Sequence, residues 1–186
     1  MFGTEMSQCF LDEMNFLMDN GFVKPNKTQF ATVEGTVSLF TKPNIFELDL
    51  HDANIRSMLT EFDVLFRQDD LVRTLNQYLP PQQQLATGVN GKTIKLQINR
   101  GSGGCFPQHY DNPGRPNKRQ LTCLLYLNRH WKTGDGGELQ LTPFLNNPVT
   151  IEPLFDRFVI FYSDRVLHRV LPAAAPRFCF TIWLDG

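Results

Sequence analysis

The second half of the chain constrains the fold most, because after Gly91 it consists of short β-type runs separated by Gly, Pro and Asn turns. Strands of this length and spacing are typical of a jelly roll or barrel. The predicted strands are Thr93–Asn99, Leu121–Leu127, Glu138–Thr142, Phe158–Tyr162 and Phe178–Leu184. We therefore expect residues 91–186 to form a barrel core.

The first ninety residues have helical periodicity instead. Apolar residues from Met6 to Met18 recur at helical spacing, which predicts an amphipathic helix over about Glu5–Met18. The same pattern predicts a second helix from Ile55 to Phe66 and a third from Leu71 to Tyr78. A short hairpin is expected over Phe30–Phe40, with its turn at Glu34-Gly35. The layout is α+β, a single domain over residues 1–186 in which residues 1–90 support the barrel.

Length and charge limit the possible partners. A chain of 186 residues suits one domain and is rather short for two. Its 18 Lys and Arg balance 19 Asp and Glu, so no overall field attracts nucleic acid or a membrane, and a charged partner must meet a local patch. No signal segment or apolar run of roughly twenty residues is seen, and the four cysteines lack a CxxC pair. This favours a cytoplasmic or nuclear protein with reduced thiols.

The segment His109-Tyr-Asp111 places an imidazole and a carboxylate two residues apart, on one face of an extended chain. His168 follows 57 residues after Asp111. Two histidines and one carboxylate leave coordination positions open, an arrangement suited to iron(II) that binds a co-substrate and O₂ together. The alternatives are a surface contact for the first pair and a satisfied core position for His168. A structural zinc site would need a fourth ligand.

Arg177 lies nine residues beyond His168 in a run that reads as a strand. Its side chain shares a face with Cys179, Thr181 and Trp183, and this face should look into the barrel. A guanidinium buried there needs an anionic partner, and its planar fork suits one end of a dicarboxylate. A structural ion pair with Asp or Glu is the alternative.

Together these residues resemble the prolyl 4-hydroxylase branch of the 2-oxoglutarate oxygenases, especially the hypoxia-inducible-factor prolyl hydroxylases and their cytosolic protist relatives. The resemblance covers Thr93 to Asp185. Besides His168 and Arg177, it rests on His109-Tyr-Asp111-Asn-Pro113, Leu121-Thr-Cys-Leu-Leu-Tyr126-Leu-Asn128, Trp131, Gly136-Gly137-Glu-Leu, Glu152-Pro153, Asp156-Arg157 and Ser163-Asp164-Arg165.

The resemblance implies a double-stranded β-helix with iron(II) on His109, Asp111 and His168. It further implies that 2-oxoglutarate reaches Arg177 with help from Tyr126 and Thr181, and that ascorbate serves as reductant. The implied activity is an O₂-dependent dioxygenase that hydroxylates a protein or peptide substrate, most simply at a prolyl residue, and releases succinate and CO₂.

Two positions depart from the family pattern. Asn99 falls where the family has a tyrosine near the co-substrate, and Arg169 follows the distal histidine where an acidic residue is common. The charge change at Arg169 argues for a different substrate. The candidate walls of the reaction cavity are Leu125, Leu127, Phe161 and Trp183, and a place in the plain core is the equal alternative for these strand residues.

Other substrates of the same fold stay open, namely another amino-acid side chain, a nucleic acid or a small molecule. Demethylases of nucleic acids carry a second arginine on the last strand and a basic face, neither of which is seen here, and a barrel that only binds ligand would normally have lost a metal ligand. The cluster of Arg115, Lys118 and Arg119 indicates either an acidic peptide partner or a solvated loop.

Overall fold

The computed structural model describes residues 2–31 and 37–186. Within these ranges the helices are α1 (Thr4–Asp19), α2 (Ala53–Arg56), α3 (Glu61–Arg67) and α4 (Asp70–Asn76). The strands are β1 (Lys24–Ala31), β2 (Val37–Asp49), β3 (Lys92–Asn99), β4 (Gly104–His109), β5 (Arg119–Tyr126), β6 (Leu139–Thr142), β7 (Val149–Ile151), β8 (Phe158–Tyr162), β9 (Leu167–Ala173) and β10 (Arg177–Asp185).

The strands form two antiparallel sheets. The larger sheet has the order β1-β2-β3-β10-β5-β8, and the smaller has the order β4-β9-β6-β7. Consecutive strands often lie in different sheets, as expected of a jelly roll. The two sheets face a shared cavity, which Leu124 and Trp183 line from the larger sheet and Phe106 and Val170 line from the smaller. The expected α+β architecture, a jelly-roll barrel with helices beside it, is confirmed.

The helices pack on the outer face of the larger sheet. Phe10 of α1 lies 4.7 Å from Phe62 of α3 and 5.0 Å from Phe180 of β10, measured between ring centroids. Phe62 and Phe180 are 5.1 Å apart, and all three rings are buried. Edge and tilted contacts of this kind add to the stabilisation that comes from burying apolar area. The predicted apolar stripe of the first helix is therefore core.

Strand β10 separates this core from the cavity. Phe180, Ile182 and Leu184 belong to the hydrophobic cluster on the helical side. On the other face, Arg177 and Thr181 line the cavity. The alternation follows from the twofold period of a strand, and it confirms the face that the sequence predicts.

The second predicted helix is wrong as a continuous element. The chain forms α2 and α3 with a break at residues 57–60. The carboxylate of Glu13 in α1 accepts hydrogen bonds from the amides of Thr60, Glu61 and Phe62, at 2.6, 2.8 and 3.0 Å. These amides have no partner within their own helix at a helix start. The carboxylate of Glu13 therefore caps the start of α3 from a distant part of the sequence. Local periodicity cannot predict such a cap.

The predicted hairpin is longer than expected, because Lys24–Ala31 of β1 pairs with residues 37–47 of β2. Its predicted turn at Glu34-Gly35 lies outside the described residues. The sequence also missed β4, β7 and β9. Strand β4 contains Pro107, and a proline is tolerated there because β4 is an edge strand of its sheet.

The four cysteines are free thiols, as the sequence predicts: Cys9 and Cys105 are exposed, and Cys123 and Cys179 are buried. Among the helices of the described ranges, none combines the length and the apolar character needed to cross a bilayer.

Candidate active site

His109, Asp111 and His168 come together at one end of the cavity. One potential ligand atom from each residue lies within 4.8 Å of the others. Strands β4 and β9 pair with His109 opposite His168, and their ring centroids are 4.3 Å apart. Asp111 lies in the bend just after β4 rather than in the strand itself. The pairing of two strands distant in sequence thus creates a cluster with the donor set of a divalent metal site.

Hydrogen bonds orient all three side chains. Nδ1 of His109 lies 2.7 Å from the carbonyl oxygen of Pro107, and Nδ1 of His168 lies 3.2 Å from that of Val166. A carbonyl only accepts, so each Nδ1 carries a proton and each Nε2 is the ring nitrogen that faces Asp111. The hydroxyl of Thr122 donates a hydrogen bond to Asp111 Oδ2 at 2.8 Å and makes none to Oδ1.

The charges of the cluster suit a cation. Burial raises the pKa of Asp111, but the contact with His109 and the charge of His168 outweigh this effect and lower the pKa to about 2. Burial lowers the pKa of His168, although Asp111 opposes this shift. Near neutral pH the cluster therefore presents a carboxylate and an uncharged buried imidazole, the protonation states in which these groups bind metal.

Arg177 is the second feature of the cavity. It is 2% exposed, and its Nη1 donates to Sγ of Cys179 at 3.2 Å. Its Nε has no hydrogen-bond partner, and no described carboxylate lies within ion-pair distance of the guanidinium. A structural ion pair is thus not formed within the described part of the chain. A buried cation left in this state fits an anionic ligand.

Other polar groups of this region also lack a hydrogen-bond partner within the described residues. They are the hydroxyl of Tyr126, which lies close to Arg177, and Nε1 of Trp183, which lies close enough to Asp111 to help lower the pKa of that carboxyl. Burial raises the pKa of Tyr126 to about 12, so its hydroxyl stays protonated and can donate. The guanidinium carbon of Arg177 lies 5.0 Å from the ring centroid of Tyr126. Together these donors fit an oxygen-rich anion, and the residues present therefore fit a keto acid next to a metal.

A cavity of about 200 Å³ joins the two features. His109, Asp111 and His168 line one part of it, and Arg177 and Thr181 line another. The structure thus brings together every residue that the sequence assigns to the metal, and it places Arg177 and Thr181 in the same cavity.

Asn99 is placed differently. It is buried, its Nδ2 donates to the carbonyl of Gly104 at 2.8 Å, and its Oδ1 accepts from the amide of Gly101 at 3.0 Å. The side chain holds the turn between β3 and β4. A contact with a co-substrate would require its amide to leave that turn.

Two other expectations, on the leucines of β5 and on Arg169, need correction. Leu125 and Leu127 pack in the helical-side core and do not line the cavity, because β5 alternates and presents Leu124 instead. Arg169 is exposed, and its Nε donates to Oε1 of Gln140 at 2.8 Å, so it points away from the cavity on the outer face of β9. Phe161 packs on His168, with ring centroids 4.8 Å apart.

The sequence reading overlooked several residues of the site. Thr122 orients Asp111, and Ser163 contacts Thr122 at 2.8 Å. Thr122 is a polar residue on the cavity face of a predicted strand, which was a usable signal. Gly137 is left-handed (φ +76°), and a Cβ there would lie 2.8 Å from Cδ of Arg177. No periodic pattern could have indicated that contact.

A jelly roll with a His-Asp-His cluster and an unpaired buried arginine in one cavity defines a non-haem metal oxygenase type of site. Residues 95–185 match the family described as the 2OG-Fe(II) oxygenase superfamily. These residues therefore form a domain of this superfamily, and similarities over nearly the whole length of the chain agree with this.

Two curated relatives illustrate the similarity. The chain is 41% identical to the hypoxia-inducible factor prolyl hydroxylase of Caenorhabditis elegans, over 97% of this chain and 25% of the relative. It is 37% identical to Egl nine homolog 1 of Homo sapiens, over 62% of this chain and 26% of the relative. The chain thus spans about a quarter of the length of these relatives.

Two solved structures are similar throughout. A prolyl 4-hydroxylase structure from Phytophthora capsici superposes with a TM-score of 0.86 at 49% identity, covering 100% of this chain and 56% of that one. A prolyl hydroxylase from Trichoplax adhaerens, solved with a peptide of hypoxia inducible factor, gives a TM-score of 0.78 at 28% identity, covering 98% and 79%.

Proposed function

We propose that this protein is a 2-oxoglutarate- and O₂-dependent iron(II) dioxygenase that hydroxylates a prolyl residue of a protein or peptide and releases succinate and CO₂. His109, Asp111 and His168 hold the iron in this proposal. Arg177 holds the distal carboxylate of 2-oxoglutarate, with Tyr126 and Thr181 beside it. Residues 1–186 act as one oxygenase domain.

The observation that carries the proposal is the state of Arg177. A fully buried guanidinium without an anionic partner among the described residues costs folding free energy, so a ligand is the simplest reason for its position. Its cavity also holds the His-Asp-His cluster. The prolyl specificity is supported by the similarity to the C. elegans prolyl hydroxylase and to the two solved prolyl hydroxylase structures.

Bound iron(II) and 2-oxoglutarate supply the oxidising chemistry, with one oxygen atom of O₂ ending in succinate and the other in the substrate's hydroxyl. The chain's own residues prepare the site. The carbonyls of Pro107 and Val166 orient both imidazoles so that Nε2 faces the cluster, and Thr122 orients the carboxylate. Phe161 packs on the ring of His168 and Trp183 lines the cavity, so both side chains place apolar surface next to the proposed metal site.

We further propose ascorbate as the reductant that keeps the iron in its active state, and the cytoplasm or nucleus as the location. The four free thiols suit a reducing compartment.

Catalysis is tested by measuring succinate formed from 2-oxoglutarate in the presence of iron(II) and ascorbate without substrate. The wild-type protein should form succinate slowly, and the His168→Ala variant should form none. Lys132→Gln, at an exposed position away from the cavity, is the matched control and should behave like wild type. Absence of turnover by iron-loaded wild type would contradict the catalytic assignment.

The substrate class is tested by mass spectrometry of cell proteins treated with wild type or with His168→Ala. Prolyl residues that gain one oxygen atom only with wild type support the proposal. Oxygen gained on other side chains, or on nucleic acid in a parallel digest, would instead assign the enzyme to the corresponding class of substrate.

A further inference from the structure

A groove with an excess of positive charge opens beside the reaction cavity. We call it the basic groove and define it by Arg115, Lys118, Arg119 and Arg165, which line a depression of about 590 Å³. Arg115 and Lys118 lie in the β4–β5 loop, which also contains the cluster residue Asp111. Arg165 lies in the β8–β9 turn, three residues before His168. The groove is therefore built by two loops that are adjacent in sequence to the metal cluster, one of which contains Asp111.

The cations of the groove are largely uncompensated. In the described ranges no carboxylate lies within ion-pair distance of Arg115, Lys118 or Arg119. Arg165 contacts its neighbour Asp164 at 3.6 Å, and both side chains are about half exposed, so this pair is weak. Burial raises the pKa of Asp185, the acid beside the groove, while Arg119 and Lys118 oppose this from beyond pairing distance.

Four cations against two carboxylates give this region an excess of positive charge in a chain whose formal net charge is -1. Like charges gathered this closely repel one another, and a polyanionic partner would relieve that repulsion.

Arg119 connects the groove to the cavity. It lines both, and its guanidinium stacks on Trp183 at 4.0 Å from the ring centroid. A polypeptide whose reacting residue occupies the cavity would pass Arg119 and continue between Arg115 and Arg165.

We infer that the basic groove docks an acidic segment of the substrate polypeptide, adjacent in sequence to the residue that enters the cavity. This inference rests on the proposed function, and it specifies that the polypeptide substrate is acidic next to the reacting residue. A peptide is favoured over a nucleic acid because the basic residues are confined to one groove, whereas strands of nucleic acid need an extended basic face.

The test measures binding by fluorescence anisotropy, so it requires no turnover. The probes are a labelled short peptide with one proline followed by a run of glutamates, and the matched peptide with glutamines. Wild type should bind the glutamate peptide more tightly, with an advantage that declines as salt is raised. Each exposed ion pair changes affinity by up to about fivefold, so Arg115→Glu with Lys118→Glu should weaken binding about tenfold or more.

Lys132→Glu is the matched charge reversal at an exposed site outside the groove and should bind like wild type. Melting temperatures check that the variants fold. If the double reversal does not fold, Arg115→Gln with Lys118→Gln replaces it and should weaken binding by a smaller factor.

Equal binding of the two peptides by wild type would overturn the inference, as would equal loss in the Lys132→Glu control. A labelled single-stranded DNA that binds more tightly than the peptide, through Arg115 and Lys118, would assign the groove to nucleic acid instead. Substrate-free succinate formation reports on the proposed function separately, so the two can fail independently.

Discussion

Replacement of Arg177 distinguishes a residue that binds the co-substrate from a residue that only supports the fold. The guanidinium is buried, and its Nε has no partner in the described part of the protein. If it clasps a carboxylate of 2-oxoglutarate, Arg177→Lys keeps the charge but loses the two-pronged geometry. A hydrogen bond to a charged group contributes roughly 1.5–3 kcal/mol, so the 2-oxoglutarate requirement should rise about ten- to a hundredfold. The affinity for metal should barely change.

Arg177→Met makes the prediction sharper. Removal of a buried charge that lacks an anionic partner should leave the ligand-free protein as stable as wild type or more stable, by up to the order of 1–4 kcal/mol. The same variant should lose the thermal stabilisation that manganese(II) and an unreactive 2-oxoglutarate analogue give together.

The assays are urea unfolding without ligand and the melting temperature with and without metal and analogue. Arg129→Lys, a stacked arginine outside the cavity, is the matched control. The reasoning is refuted if both Arg177 variants unfold more easily without ligand and respond to metal and analogue as wild type does. That outcome would make Arg177 a structural residue.

Three further predictions concern metal binding, the position of Arg177 and the stability of the fold. His168→Ala should abolish manganese(II) binding in calorimetry while its circular dichroism stays native, because the ring supplies a metal ligand in the proposed site whereas the pairing of β9 is made by the backbone. Gly137→Ala should weaken 2-oxoglutarate binding with little change in metal affinity, because the new Cβ meets Cδ of Arg177 at 2.8 Å. Burial raises the pKa of Asp69, but hydrogen bonds from Lys92 and the Gly88 amide lower it below its usual range. Its stabilising effect is therefore present above about pH 4 and is lost on further acidification, so urea unfolding of wild type should lose more stability below about pH 4 than that of Asp69→Asn.

The sequence predicted the site better than it predicted the elements that carry it. His109, Asp111 and His168 were identifiable because metal chemistry needs these residue types, whatever element they lie on. The strands that bring them together, β4 and β9, were missed, since Pro107 and Pro172 interrupt any strand signal in them. Register between strands distant in sequence is a tertiary property, and local patterns do not contain it.

The hydrogen-bond partners of individual side chains were also not predictable from the sequence. Glu13 reads as an ordinary charged residue of an amphipathic helix, yet it caps α3 some 47 residues later. Asn99 was placed by comparison with the family's tyrosine, yet its amide is used by the turn at Gly101 and Gly104. In both cases the competing partner is a backbone group whose position depends on the completed fold.

The alternation along β10 has a consequence for how this fold tolerates change. Deleting one residue within Arg177–Leu184 would exchange the two faces of part of the strand, moving aromatic rings toward the metal cluster and cavity groups into the helical core. Because β10 has neighbours on both sides, β3 and β5, neither neighbour could follow without losing its own register. Length changes in lineages that keep this barrel should therefore collect in the loops at either end of β10 and be absent from the strand itself.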